Sequence, residues 1–513
     1  MSTSFSNDGS DTATISLREF LDEAVFVGAD DITVQKCVDR ADQCSPGDVF
    51  IPRHNAHRDE HDKVEEAIRR GAVAVVSDRV LPVSVPQCLV ENTQEVFAKI
   101  SQRLHGDPSK RMLTIGIVGT SAKSATALYV SSMLKQLGGS VAYYTSLGSS
   151  DSIECDRSNT RPPGAQELAE WMQRSDLSGA PAVVIELTPS MLRDNVAAGV
   201  EFDLIILTGM RTTQTTNGAS VRCFSDLLNS LMDRVKAHGM LLYNADDALA
   251  VNWVEKQDIA SVSYGLDAAE HVCGKRLSRE GGQQQLLVMA GNMLMPLTLQ
   301  IPGDHIARSA LAAIATAWMF DFSVPDSIAG VEKLTSIPGR LQRIPQSVEV
   351  PVFIDIGATP DRVAVATHAL RQHNYGPATV VVDLNNQLDS KWRSRLGEVL
   401  EKAAHRVVLT GSDLSPSATQ RLAMDVLGGC SAPGRIQVIP DRAAAIRWAI
   451  DRTNQGVVLL SGCGELSWTD RDGESVSDEM LAKLALDRKN KVAAPKLGVF
   501  PPADSNHVFP IDS

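Results

Sequence analysis

The sequence predicts an α/β protein of three domains, and two patterns along the chain support that prediction. The first is a repeated alternation of short apolar, β-branched runs with helical segments, which is typical of a mostly parallel sheet covered by helices on both faces. The second is an apolar strand that enters a small-residue turn and a Lys-Ser pair at residues 114–124. That layout is typical of a loop that cradles phosphate. At 513 residues the chain is too long for a single core, so several domains are expected.

Composition excludes several classes of protein. A net charge of −13 and a pI of about 5.4 argue against nonspecific nucleic-acid binding and against attraction to an anionic membrane. No run of about 18 apolar residues offers a membrane span. Eight cysteines are scattered without a C-x-x-C pair, which favours free thiols in a reducing compartment. We therefore expect a cytoplasmic protein without a nucleic-acid partner, and we expect it to be a monomer.

The first predicted domain spans residues 16–110 and follows a Ser/Thr/Asp-rich, disordered leader at residues 1–15. It contains a predicted helix at Asp62–Arg70, which Gly71 ends, and a predicted strand at Ala72–Val76. A βαβ-like unit of this size indicates a small α/β domain. The Gly-Asp-Pro sequence at residues 106–108 predicts a linker to the next domain.

Two larger α/β domains are predicted after that linker, at residues 111–338 and 339–489, before a polar, Pro-rich tail at residues 490–513. In each of them apolar runs alternate with helical stretches, which predicts two doubly wound units. The predicted strands of the two domains are Ala182–Glu186, Asp203–Thr208, Met240–Asn244, Val352–Asp355, Ala378–Asp383, Arg406–Thr410 and Gly456–Leu460.

The loop after the strand at residues 114–118 is the strongest candidate for a nucleotide site. Backbone N–H groups and a helix N-terminus would face the phosphates, Lys123 would reach the terminal phosphates, and the Ser124 hydroxyl would hold Mg²⁺. Ala122 stands where such loops usually have glycine, and it costs about 1–2 kcal/mol if the backbone there is left-handed. The predicted nucleotide-binding residues of the loop are Gly119, Thr120, Ser121, Ala122, Lys123 and Ser124.

Four further charged positions are weighed against structural alternatives. Glu186 ends an apolar strand, where an unpaired charge is costly, so a functional role is favoured. Arg340, after Pro338-Gly339, is either a nucleotide contact or part of a weak surface ion pair. Asp246 and Asp247 follow a strand, and a helix N-cap pair is the favoured interpretation.

The domain order and a series of motifs resemble the Mur ligases, and among them the UDP-N-acetylmuramyl-tripeptide synthetases of the MurE type. Gly116–Thr120 opens the match to the family's G-T-N-G-K-T loop, Asn159–Pro162 stands where the family has N-T-T-P, and Glu186 begins the match to E-V-S-S-H-x-L. Further matches follow in the family's order. They are Asn244–Asp247, Pro338–Arg340, Thr359–Asp361 and Asp441–Ile446.

The resemblance implies a three-domain Mur ligase architecture: a small α/β UDP-substrate-type domain, a P-loop ATPase-type domain and a Rossmann-like ligase domain. It implies that ATP phosphorylates a carboxylate of UDP-N-acetylmuramoyl-L-alanyl-D-glutamate, and that the amine of an amino acid then attacks, in peptidoglycan synthesis. ATP and Mg²⁺ are the implied cofactors. The resemblance gives Lys123 and Glu186 catalytic roles, places Ser124 and Glu186 on Mg²⁺, and places Asn159 and Thr160 on the muramoyl-peptide substrate.

Several functional positions of the family carry other residues here. The lysine that is carbamylated in the family falls on Leu228, and a metal-binding histidine falls on Gln214. The motif that selects the incoming amino acid reads Ser412-Asp413-Leu414-Ser415 and lacks its arginine, so no amino acid is assigned. Two functions stay open. One is a MurE-type ligase, and the other is a catalytically impaired relative that binds a nucleotide or precursor, or docks on other Mur enzymes as a scaffold.

Overall fold

The structure is a computed structural model, and it describes residues 14–55, 58–156, 161–210, 221–280, 282–345, 350–384, 389–471 and 473–493. The chain divides into two compact units, Met1–Ile337 and Pro338–Ser513. Both contain parallel-rich sheets covered by helices, which confirms the predicted α/β class. The domain boundary near residue 110 lies within the first unit and stays a prediction.

The first unit begins with a five-stranded sheet. Four of its strands are parallel, and Val25–Val27 pairs antiparallel at one edge. The predicted helix of this region is observed at Val64–Arg69, shorter than predicted at both ends. The predicted strand is observed at Ala74–Ser77, shifted toward the C-terminus by one or two residues. The strands in spatial order are Val25–Val27, Gln87–Leu89, Ala74–Ser77, Val49–Phe50 and Cys37–Val38, and two hairpin-like pairs join Ile15–Ser16 to Thr33–Val34 and His54–Asn55 to Arg58–Asp59.

An eleven-stranded sheet forms the rest of the first unit. Seven neighbouring strands are parallel, and antiparallel strands extend the sheet at both ends. In spatial order the strands are Cys155–Asp156, Gly148–Ser150, Val141–Thr145, Ala182–Glu186, Leu113–Val118, Phe202–Leu207, Val235–Asn244, Ser261–Gly265, Val272–Glu280, Gln283–Ala290 and Met293–Leu299.

Helices cover both sheets of this unit. They are Leu17–Phe20, Val64–Arg69, Thr93–Leu104, Lys123–Gln136, Ala165–Leu177, Pro189–Arg193, Val221–Met232, Ala248–Val254, Asp304–Met319 and Val324–Glu332. One apolar cluster combines residues of the small sheet with Ala165 and Ala198 of the large-sheet region. The predicted linker is packed as well: Ser109 is fully buried, its Oγ accepts the Glu201 N–H, and its carbonyl accepts Lys236 Nζ at 2.9 Å. The two sheet regions therefore share a core.

The second unit is a doubly wound sheet of six strands, all parallel except the first pair. Three of its predicted strands are observed with unchanged bounds, because each is a continuous β-branched run buried on both faces. In spatial order the strands are Gln342–Arg343, Val352–Asp355, Val457–Ser461, Ala378–Asp383, Arg406–Thr410 and Ile436–Val438. The helices are Pro360–Gln372, Ser390–Ala403, Pro416–Leu427, Arg442–Arg452 and Asp478–Ala493, and a short hairpin joins Ser467–Thr469 to Ser475–Ser477. Over both units, no described helix is long and apolar enough to cross a membrane.

A buried ion pair joins two helices of the second unit. Arg442 begins one helix and Asp478 begins the other, and both side chains are fully buried. Arg442 Nε donates to Asp478 Oδ1 at 2.8 Å, and Asp383 lies 3.6 Å from Arg442 Nη1. Burial acts to lower the pKa of Arg442, but the charge of Asp478, the nearby Cys463, the hydrogen bond to Asp478 and the charge of Asp383 together outweigh it and raise that pKa. Arg442 is therefore a structural residue that stays charged inside the unit.

Replacing Arg442 by Met should destabilise the second unit by about 3–5 kcal/mol, because Asp478 would remain buried without its partner. Urea unfolding monitored by circular dichroism measures the change. The double variant Arg442→Met/Asp478→Asn, which removes both charges, should recover a large part of the loss. Equal destabilisation in the single and double variants would contradict this account of the pair.

Candidate functional site

The carboxyl ends of three parallel strands meet at one edge of the large sheet. Leu113–Val118 lies between Ala182–Glu186 and Phe202–Leu207, with Ile117 opposite Glu186 and Val118 opposite Leu207. The loop that follows Val118 therefore starts beside the Glu186 side chain. Ligands of open α/β sheets bind at such edges.

The first half of the loop lies tightly against the neighbouring strand end. Thr208 Oγ1 donates to the Ser121 carbonyl at 2.6 Å, and the Thr120 N–H donates to the Gly209 carbonyl at 3.0 Å. Gly119 has φ +147°, and a Cβ at this position would lie 2.1 Å from Thr208 Oγ1. Glycine is therefore required at 119 for the loop to pass so close to Thr208.

Ala122 occupies the left-handed region of backbone space, with φ 62° and ψ 4°. It is the residue before the helix Lys123–Gln136, and no side chain caps that helix. The first-turn N–H groups of the helix are thus left for another acceptor, as at an anion-binding helix start. Ala122 therefore adopts the left-handed conformation in which alanine was expected to be less stable than glycine.

Lys123, Ser124 and Glu186 meet where the helix begins. Ser124 Oγ donates to Glu186 Oε2 at 2.8 Å, and the Ser146 N–H donates to the same oxygen at 2.9 Å. Lys123 Nζ lies 3.9 Å from Glu186 Oε1 and donates to the Gly119 carbonyl at 3.0 Å. Ser124 and Glu186 are only 6% and 5% exposed, so this carboxylate is held in place by its hydrogen bonds.

The residues present fit a phosphate group bound with a single divalent cation. Gly119 leaves the space that a Cβ would fill, and the uncapped helix start supplies N–H donors. One carboxylate and one hydroxyl are sufficient protein ligands for Mg²⁺ when phosphate and water supply the rest. Within the described ranges, no three His, Cys, Asp or Glu side chains group together in a way that could hold a metal ion without such a ligand.

Asp246 and Asp247 both accept backbone N–H groups, but of the predicted N-cap pair only Asp247 caps the helix. Asp247 caps the helix Ala248–Val254 and also accepts the Met210 N–H at 2.7 Å. Asp246 accepts the N–H groups of Leu266, Asp267 and Ala268 and the Nε of Arg308 at 2.6 Å. Burial acts to raise the pKa of Asp246, but these donors outweigh it and leave that pKa below its usual value.

The second unit has a polar sheet edge of its own. Arg340 Nη1 lies 3.2 Å from Glu465 Oε2, and this ion pair spans the turn at Gly339. Asp355 ends the strand Val352–Asp355 and accepts the N–H groups of Leu341 and Gly357. Burial raises the pKa of Asp355 despite those hydrogen bonds. Arg340 is thus held beside a strand end by an ion pair, which was one of the two alternatives for this residue, and its nucleotide contact stays a prediction.

Sequence reasoning missed two residues that shape the first site. Ser146 follows the strand Val141–Thr145 at the same sheet edge, and Thr208 ends the segment predicted as a strand. A hydroxyl residue directly after a buried parallel strand was the available signal for Ser146. The predicted substrate residues Asn159 and Thr160 lie outside the described residues.

Replacing Ala122 by Gly should raise the free energy of unfolding by about 0.5–1 kcal/mol. Relief of the left-handed conformation raises the free energy of unfolding by about 1–2 kcal/mol. The added conformational freedom of the unfolded chain lowers it by about 0.4–1 kcal/mol. Thermal unfolding of both proteins measures the difference. Ala127→Gly, inside the same helix, is the control and should lower stability by about 1 kcal/mol or more. A free energy of unfolding of Ala122→Gly below that of the wild type would contradict backbone strain at Ala122.

Replacing Asp246 by Asn should destabilise the first unit at pH 7 by about 1–3 kcal/mol, because a carboxylate acceptor of four donors is lost. The contribution of Asp246 is present above its unfolded pKa of about 3.8 and is lost as pH falls through its lower folded pKa. The difference between the two proteins should therefore shrink below pH 3.8 in urea titrations. Asp258→Asn, at an exposed position, is the control that should show little effect. A difference that stays constant with pH would refute the assignment.

Comparison with known proteins places the chain in a family. The Mur ligase middle domain matches residues 117–317, and the Mur ligase glutamate ligase domain matches residues 339–464. The UDP-N-acetylmuramoyl-L-alanyl-D-glutamate–2,6-diaminopimelate ligase of Geobacillus thermodenitrificans is 25% identical over 434 residues, covering 82% of this chain and 88% of that protein.

Solved structures agree in fold. A UDP-N-acetylmuramoyl-L-alanyl-D-glutamate–2,6-diaminopimelate ligase superposes with a TM-score of 0.69 at 18% identity, covering 93% of this chain and all of that one. MurF ligase from Thermotoga maritima, determined in complex with ADP, superposes with a TM-score of 0.61 at 18% identity, covering 89% of this chain and 98% of that one. With its two matched domains spanning more than half of its residues, the chain belongs to the Mur ligase family.

Proposed function

We propose that the protein is a MurE-like, ATP-dependent ligase that joins an amino acid to UDP-N-acetylmuramoyl-L-alanyl-D-glutamate in peptidoglycan synthesis. The observation that supports this most directly is the cluster of Lys123, Ser124 and Glu186 at the start of an uncapped helix. Relatives that align over four fifths of the chain are named as ligases of this substrate with 2,6-diaminopimelate. The altered segment Ser412–Ser415 leaves the added amino acid of this chain open.

Each residue of the cluster has a role in binding ATP with Mg²⁺. Lys123, whose Nζ donates to the Gly119 carbonyl and lies 3.9 Å from Glu186 Oε1, would bind a terminal phosphate. Ser124 and Glu186 would hold Mg²⁺, which supplies neutralisation of the charge on the transferred phosphoryl group. The first-turn N–H groups of the helix would receive the phosphate oxygens. Arg340 would add a second cation for the nucleotide.

A nucleotide- or precursor-binding relative without catalysis is the second candidate, and Leu228 favours it. The family's carbamylated lysine aligns at this position, but Leu228 is fully buried in the apolar core of the large sheet. The leucine side chain has no atom that can bind a metal ion, and its apolar surroundings would disfavour a charged group there. If this second function is correct, the protein uses the loop to bind a nucleotide or precursor, or acts as a scaffold for other Mur enzymes.

A cytoplasmic location is part of the proposal. ATP and UDP-linked precursors are substrates of the proposed reaction, and a reducing compartment suits the thiols of this chain. Cys37, Cys44, Cys88, Cys155, Cys273, Cys430 and Cys463 are all free, and burial raises the pKa of Cys88 to about 11. We also propose that the chain acts as a monomer.

Calorimetric titration with ATP and Mg²⁺ tests the nucleotide site first. The wild-type chain should bind, and Lys123→Ala should weaken binding at least tenfold, because a charged phosphate contact is worth about 1.5–3 kcal/mol. Lys135→Ala, an exposed lysine on the same helix, is the matched control and should bind as the wild type does. Absence of binding at millimolar ATP would contradict phosphoryl transfer at this loop.

Product formation separates the two candidate functions. The chain is supplied with the UDP-muramoyl-dipeptide, ATP, Mg²⁺ and a panel of amino acids, and the new amide is detected by mass spectrometry. A ligase should form product with at least one amino acid, and Glu186→Gln should reduce the rate by about 10²-fold or more. Lys123-dependent ATP binding without any amide product would favour the non-catalytic candidate.

A further inference from the structure

Ser146 contacts both of the residues that would hold Mg²⁺ in the first unit. Its N–H donates to Glu186 Oε2 at 2.9 Å, and its hydroxyl oxygen lies 3.0 Å from Ser124 Oγ. Ser124 Oγ in turn donates to the same Glu186 oxygen at 2.8 Å. The three residues come from three separate segments of the chain, and their hydrogen bonds form a closed ring.

The register of two parallel strands brings Ser146 to this ring. Tyr144 lies opposite Ile185 in the strand pairing, so the strand Val141–Thr145 ends beside Glu186. Ser146 is the first residue after that strand and is exposed, whereas the Glu186 carboxylate is buried. A residue that solvent can reach is thus hydrogen-bonded to a carboxylate that is nearly enclosed.

The directions of the hydrogen bonds follow from the protons available. Ser124 has one hydroxyl proton and donates it to the Glu186 carboxylate, because an ionised carboxylate can only accept. Ser146 must therefore be the donor in the contact between the two hydroxyls. Ser124 Oγ accepts that proton with one lone pair and keeps its other lone pair. A hydroxyl oxygen with a lone pair beside a carboxylate suits a hard divalent cation.

The turn that contains Ser146 is held by a different side chain. Thr145 Oγ1 accepts the Leu147 N–H at 3.1 Å and donates to the Gly148 carbonyl at 2.8 Å. Thr145 and Gly148 are also paired across the hairpin. The shape of the turn therefore does not require the Ser146 hydroxyl, and the hydrogen bond of that hydroxyl is made to Ser124 instead.

We propose that Ser146 is a positioning residue for a divalent cation, which orients the Ser124 hydroxyl through its own hydroxyl and the Glu186 carboxylate through its N–H. A single exposed serine thereby fixes both protein ligands before the cation arrives. Groups that orient metal ligands in this way typically change metal affinity by about 10–100-fold when they are removed. The inference rests on the proposed function, which supplies the ligand as Mg²⁺ with a nucleotide phosphate.

Cation affinity tests the inference in the full-length chain, with Mn²⁺ and inorganic tripolyphosphate as the probe and electron paramagnetic resonance as the measurement. Ser146→Ala removes the hydroxyl but keeps the N–H, and should weaken Mn²⁺ binding by about tenfold. Ser146→Thr keeps both donors and should recover most of the affinity. Ser149→Ala is the matched control on the same hairpin, because no hydrogen bond joins Ser149 to the ring, and it should bind as the wild type does.

Thermal unfolding without cation separates positioning from a general structural role. The Tm of Ser146→Ala should lie within about 2 °C of the wild-type value, because an exposed hydroxyl is removed and Thr145 still holds the turn. A much lower Tm in Ser146→Ala, or no recovery of Mn²⁺ affinity in Ser146→Thr, would show a structural role and overturn the inference. Wild-type Mn²⁺ affinity in Ser146→Ala would overturn it as well.

The probe also separates this inference from the proposed ligase function, since it requires neither ATP nor an amino acid. A Ser146-dependent cation site in a chain that forms no amide would contradict the ligase function alone. Amide formation by a chain whose Ser146→Ala variant binds Mn²⁺ normally would contradict this inference alone. Failure of the wild-type chain to hold Mn²⁺ with tripolyphosphate would overturn the inference directly.

Discussion

The register of three parallel strands is the constraint on which the first site depends. Because Ile117 lies opposite Glu186 and Val118 lies opposite Leu207, one loop begins between a carboxylate and the Thr208 hydroxyl. A shift of one residue in either pairing would turn these side chains to the opposite face of the sheet. The buried, β-branched strands fix the register through their packing, so the chemistry of the edge follows from the hydrophobic core.

The loop combines close packing with local strain. Gly119 passes under Thr208 at a distance that excludes a Cβ, whereas Ala122 accepts a left-handed conformation that glycine would adopt at lower cost. Conformational strain in a loop persists only when its surroundings determine the backbone. Here the Thr208 and Gly209 contacts hold one side of the turn, and the helix Lys123–Gln136 holds the other. The backbone of the loop is therefore fixed from both sides although Ala122 is strained.

Charged groups are arranged differently in the second unit. Arg442 and Asp478 are fully buried and satisfy each other inside the unit, which makes them part of its packing. Arg340 instead lies near the carboxyl end of the strand Val352–Asp355 and pairs with Glu465 at 3.2 Å. The contrast separates an ion pair buried inside the unit from a partly exposed one at the sheet edge. Sequence position alone does not distinguish the two arginines.

The sequence by itself determined the α/β class, the strand–turn–helix layout around residues 114–124 and most of the buried strands, because hydrophobic runs and turn residues are local signals. Strands such as Ala182–Glu186, Val352–Asp355 and Ala378–Asp383 were predicted with their observed bounds, since strands buried on both faces are continuous apolar runs. Helix starts were less accurate: the helix predicted from Asp62 begins at Val64. The left-handed Ala122 and the Ser146 contact with Glu186 were decided only by the tertiary structure. Each depends on residues distant in sequence that pack at one sheet edge, and local pattern carries no information about such contacts.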